Sequence, residues 1–164
     1  MRFLKYVAAV VLVAAVGACG PLTSERLTEA KNMKPTGSAF HQALYKEYLW
    51  YGQWELDQGD LASSDLNINK AMMAAKGETP ALNNPRDRKI DGAPLNDLIA
   101  GQAKLLEAIG MGAMQKAPEK TAEAYAAYDC WVEQQEENIQ PPHIAMCKKK
   151  FEDALAIAQA AVKP

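Results

Sequence analysis

The chain has 164 residues, of which 49% are hydrophobic and 23% charged, with a formal net charge of −2 at pH 7. That length suits one compact domain and is too short for several. No basic stripe is interleaved with aromatics, so nucleic acid is not an expected partner.

Residues 1–18 read as an address. Arg2 and Lys5 form a short positive region, Tyr6 to Val16 is apolar and free of charge, and Val16-Gly17-Ala18 is small and flexible. This is the layout of a secretory signal. The apolar run falls short of the roughly 20 residues that cross a bilayer. Ordinary signal peptidase accepts Val16 and Ala18 around a cut, which leaves plain secretion open. Val16-Gly17-Ala18-Cys19 also resembles the bacterial lipobox, which implies cleavage before Cys19 and acylation of its thiol. Cleavage there removes Arg2 and Lys5, so the 18 basic side chains fall to 16 against 20 acidic ones, a balance of −4. Gly20 follows the anchor. By the sorting rule of enteric bacteria, the absence of Asp there favours the outer membrane, at its periplasmic face.

Residues 19–37 have weak periodicity and end in Pro35 and Gly37. They are expected to form a flexible tether, reaching about 60 Å when extended. A short helix over 23–33 is the alternative. The remainder, 38–164, is expected to be an all-α domain, a small bundle of about five helices built from antiparallel hairpins.

Ser38 is a plausible N-cap for a first helix running to Gln58. Gly59-Asp60 ends it, and Asp60 is placed to cap a second helix that Gly77 stops. The pattern Gly52, Gly59-Asp60, Lys70-Ala71 looks like one tetratricopeptide repeat, but no second copy follows, and the pair reads simply as a helical hairpin. Tyr45, Tyr48, Trp50, Tyr51 and Trp54 crowd the first helix without forming a single stripe. The plain reading is a central helix buried on more than one side. The sharper one is an aromatic surface for a partner, with Trp50 and Trp54 as candidates.

Residues 77–93 hold two prolines and no helical period, which reads as a long solvated loop. Its Arg86 and Arg88 add local positive charge and join Trp50 and Trp54 as candidate interaction residues. Pro94 opens the third helix, with Leu95, Leu98, Gln102, Leu105 and Ile109 on one face. Pro118 opens the fourth, whose apolar stripe is Thr121, Tyr125, Tyr128, Val132 and Gln135. Glu133 and Glu137 stand one turn apart on it, a spacing that reads as a solvated face more readily than as an acid pair. Pro141-Pro142 precede the fifth helix, His143 to Val162, with Cys147, Phe151, Leu155 and Ala158 on its apolar side.

Three cysteines make an odd count. With Cys19 acylated, Cys130 and Cys147 remain as a pair, and in an oxidising envelope such a pair is expected to form a disulfide. Cys147 lies in the apolar face of the fifth helix, and Cys130 beside Ala126 and Ala127, whose small side chains permit the close approach a disulfide needs. The rival reading, a metal held by Cys130, His143 and Cys147, lacks a fourth ligand. No metal or cofactor is expected.

DCWVEQQEENIQPPHIAMCKKKFEDAL at 129–155, with KEY at 46–48, QGD at 58–60 and KA at 70–71, resembles the helical N-terminal region of alphaproteobacterial OmpA-family lipoproteins. The resemblance spans about 38–160. It implies an envelope lipoprotein with an all-helical region, and no activity comes with it. In that family a peptidoglycan-binding OmpA-like domain follows. This sequence ends at Pro164 without one, so no cell-wall-binding residue is carried over.

The expectation for function is therefore a non-enzymatic envelope lipoprotein. It would be held to the bilayer by acyl chains on Cys19 and act as an interaction or accessory module for another envelope protein. Only His41 and His143 are present, and neither lies in a zincin motif, a nucleophile elbow or a phosphate loop. The alternative is a periplasmic ligand carrier with an aromatic-lined pocket between its helices.

Overall fold

The computed structural model describes residues 19–163, with side chains from Leu22 onward. The signal segment expected at 1–18 and the side chain of Cys19 lie outside the described residues. Within them the protein is all-helical, without strands. The helices are α1 (Cys19–Asn32), α2 (Ala39–Gln58), α3 (Leu61–Ala75), α4 (Gly92–Gly110), α5 (Ala113–Lys116), α6 (Pro118–Glu137) and α7 (Pro141–Val162), with a 3₁₀ turn at Pro85–Asp87.

Local chemistry sets most of the boundaries. The backbone N–H of His41 donates to the Ser38 hydroxyl, and that of Ser63 to Asp60, satisfying orphan donors at the starts of α2 and α3. Gly59 closes α2 in the left-handed region, φ 85°, where a side chain would be strained. Asn138 closes α6 in the same way, φ 52°, being one of the few residues besides glycine that tolerate it. Prolines occupy the first turns of α6 and α7, positions that need no N–H donor.

Helix α6 is the axis. It is buried almost without interruption from Thr121 to Gln134, packed by α7 on one side and α2 on another. A disulfide joins Cys130 of α6 to Cys147 of α7, with Cα atoms 5.7 Å apart. The aromatics of α2 divide: Tyr45, Tyr48 and Tyr51 are buried, while Trp50 is 46% exposed. The buried residues of α2 share one broad face, against α3 and α6, and Trp50 stands on the opposite side, where the sequence suggested burial on more than one side. Gly52 is where α2 and α3 come closest. Ser64 donates to the Gly52 carbonyl at 2.7 Å, and a β-carbon on Gly52 would stand 3.0 Å from Ile68.

Four expectations change. The described residues form seven helices rather than about five, because α1, the alternative weighed at 23–33, is present and the short α5 was not foreseen. The tether gives way to α1, whose Thr23, Leu27 and Ala30 are buried. Leu27 and Ala30 pack with Ile68 of α3, and Tyr45 donates to the Ala30 carbonyl at 2.8 Å. The segment 77–91 is not a free loop. Pro80, Pro85 and Ile90 are buried, and Tyr125 donates to the Pro80 carbonyl at 2.6 Å. Finally, Glu133 does not lie on a solvated face: it is 8% exposed, under the α2–α3 hairpin.

Candidate functional site

Asp129 is the most heavily engaged polar residue in the core. Tyr48 donates to it at 2.7 Å, the backbone N–H of Asn83 donates at 2.7 Å, and Lys70 forms an ion pair with it. Lys70 also donates to Asn83 at 3.2 Å. The cluster joins α2, α3, the 77–91 segment and α6 through one carboxylate. These contacts tie four segments to one another, and burial beside Asp129 pushes the Tyr48 phenol well above its usual range. It is a structural hub.

The four residues proposed for an interaction surface do not form one surface. Trp50 and Trp54 stack at 5.9 Å with their rings 9° from parallel. Lys150 of α7 lies 4.8 Å over the Trp50 ring and pairs with Glu47 at 2.8 Å. Trp54 meets His143 at 4.9 Å between ring centroids. Arg88 is instead tied to α6 by a 2.8 Å ion pair with Glu136. Glu136 also accepts from the Lys89 backbone N–H at 3.0 Å, and that bond together with Arg88 holds its carboxyl below the usual range. Arg86 is exposed on the same pinned segment. The tryptophans thus form an aromatic face on α2 and α7, and the arginines belong to the anchorage of the 77–91 segment.

Next to the aromatic face lies an acidic pocket that the sequence reading missed. A recess of about 370 Å³ opens between the α2–α3 turn and the α6–α7 turn. Glu55, Asp60, Glu137, Gln134 and Ile139 line it. Glu55 is 2% exposed. Desolvation, reinforced by Glu133, Glu137 and Asp60, pushes its carboxyl up to about 8. Glu133 and Glu137 are also raised, each mainly by desolvation. None of these four carboxylates has a basic partner within ion-pair distance among the described residues. Gln134 donates to Glu55 at 3.5 Å and to Glu137 at 3.3 Å. Its own Oε1 has no donor, although the residue is 2% exposed. One signal for this pocket was present in sequence: Glu55 lies in α2, which already read as buried on more than one side.

A second cleft, of about 390 Å³, runs between α4, α6 and α7, with Trp131, Phe151 and Leu155 among its lining residues. Lys148 sits 5.0 Å over the Trp131 ring and pairs with Asp97 at 3.1 Å. The buried indole N–H of Trp131 finds no acceptor. An aromatic-lined recess therefore exists, but it is built on Trp131 rather than on Trp50 or Trp54.

Among the described residues no group of three or more His, Cys, Asp or Glu is arranged to hold a metal ion, and no helix is long and apolar enough to cross a membrane. Comparison with protein-family models, curated proteins and solved structures finds no match.

Proposed function

We propose that this chain is a non-enzymatic bacterial envelope lipoprotein, held at the periplasmic face of the outer membrane by acyl chains on Cys19. It serves there as a docking module for another envelope protein. The observation that carries the docking role is the aromatic face: Trp50, nearly half exposed, lies stacked on Trp54 and is flanked by His143 and Lys150. Large rigid aromatics held at a surface are the side chains most enriched at binding hot spots.

The docked α1 alters how such an anchor would work. Arg26 pairs with Asp65, and the Thr36 backbone N–H donates to the Ala75 carbonyl at 3.0 Å. Helix α1 therefore runs in the same direction as α3 and starts near the α2–α3 turn. Acyl chains on Cys19 would hold that end of the bundle close to the bilayer instead of letting the domain roam on a long tether.

The test is photo-crosslinking in intact cells from a benzophenone side chain at position 50, with the same group at exposed Leu106 as control. A discrete adduct from position 50 alone is expected. Equal or absent adducts at both positions would overturn the docking role.

Ligand carriage is the second reading, favoured by the cleft beside Trp131, whose volume lies within the range of small-molecule sites.

A further inference from the structure

We propose that the acidic pocket between the α2–α3 and α6–α7 turns receives a basic side chain, an arginine guanidinium or a lysine ammonium, from a partner protein. This deepens the docking reading above by naming the chemistry of the partner.

Buried acids are ordinarily paired with a cation or hydrogen-bonded in full. Glu55 accepts only one long bond, from Gln134 at 3.5 Å. The groups facing it are Glu133 and Glu137 from α6 and Asp60 from the α2–α3 turn. From α7, His143 packs against the adjoining Trp54.

Gln134 adds an independent observation. Its amide stands among the carboxylates, with Nε2 donating to two of them, while Oε1 has no donor at all. The walls of the pocket thus hold carboxylate oxygens and a buried, donorless carbonyl oxygen together, an excess of acceptors. What completes it is a group rich in N–H donors and positively charged. A guanidinium carries five such donors and an ammonium three.

A directly bound metal does not fit, since no three acidic or imidazole groups here converge as a ligand set. Nor does the ethanolamine headgroup of a lipid. Its ammonium is two carbons from a phosphate, which would bring an anion against Asp60 and Glu137. A basic side chain brings a neutral alkyl stem instead, and the rim provides Ile139, 71% exposed, for that stem to lie on. The pocket and the aromatic face adjoin through consecutive residues of α2, Trp54 and Glu55, so one partner surface can engage both.

The experiment is a titration of the full chain, at a pH above 8 where Glu55 ionises, with the blocked tripeptide acetyl-Ala-Arg-Ala-amide. Its neutral isostere, with citrulline for arginine, serves as control. Binding is followed by the NMR signals of the Gln134 side-chain amide and the Trp54 indole. The arginine peptide is expected to shift both signals and the citrulline peptide neither. Glu55→Gln and Glu137→Gln should each weaken binding at least about tenfold, roughly the worth of one charge-assisted contact, while Glu152→Gln leaves it unchanged. Equal response to the two peptides, no response to either, or undiminished binding by the Glu55 and Glu137 variants would overturn the proposal. So would vesicles of ethanolamine phospholipid shifting the Gln134 amide in place of the peptide. This outcome is independent of crosslinking at position 50: the pocket can bind arginine while no cellular adduct forms, and the reverse.

Discussion

Replacing Glu55 by Gln should stabilise the protein, and by an amount that depends on pH. The carboxyl is 2% exposed and surrounded by Glu133, Glu137 and Asp60, and its titration is pushed from 4.5 in the open chain to about 8 in the fold. Below about pH 4 the group is protonated in both states and contributes no penalty. As pH rises, the unfolded chain releases the proton first, and the folded state must keep it or bury a charge. Folding is then penalised progressively from the lower value to the higher. Each unit of displacement is worth about 1.4 kcal/mol, so the penalty is on the order of 3 kcal/mol at pH 7 and approaches 5 kcal/mol above pH 8. Glutamine keeps the shape and the hydrogen-bonding groups without the charge. Urea denaturation followed by tryptophan fluorescence, run at steps from about pH 4 to 9, measures the difference directly. The two proteins should agree at the acid end, and the variant should gain over the wild type as pH rises through the window. A difference that is constant with pH, or a wild type that becomes the more stable of the two between pH 5 and 8, would refute the reasoning.

Other consequences follow from the packing. Asp129→Ala leaves Lys70 without its counter-charge and frees the Asn83 backbone N–H. Breaking a buried pair this way costs about 3–5 kcal/mol, and amide exchange should accelerate first at Asn83. Cys130→Ser removes the link between α6 and α7, with a loss of about 3 kcal/mol from the loop it closes. Exchange protection should fall in α7 before α2, and equal loss in both would count against a local effect. Gly52→Ala forces a β-carbon to 3.0 Å from Ile68, and overpacking of that kind costs about 1–3 kcal/mol in thermal or urea melts.

What could be read in the sequence was the part governed by short-range rules. Ser38, Asp60 and Gly59 mark helix ends through their own side chains or the lack of one, and they do so in the structure. The crowded aromatics of α2 signalled a buried helix, although its three tyrosines share one broad face and Trp50 lies off it. The polar core was harder to see. Asp129 and Glu133 lie on a flank of α6 beside its apolar stripe, with Gln134 further round, and polar side chains beside a stripe read as a solvated face. It is buried because the α2–α3 hairpin and the 77–91 segment cover it, contributing Tyr48, Lys70 and Asn83 from far away in the chain. Helix α1 was legible only as the alternative to a tether for a related reason: its apolar residues are few, and its place depends on Ile68 and Tyr45 receiving them. The acidic pocket combines both difficulties, since Glu55 and Glu137 are brought together only by the packing of α2 on α6.

The proposed envelope role depends on acylation of Cys19. The most direct measurement is the intact mass and N-terminal peptide of the protein extracted from the envelope of the cells that make it. The expected result is a chain beginning at Cys19 and carrying the mass of a diacylglyceryl group or more. A chain beginning at any other residue, or at an unmodified Cys19, would contradict it.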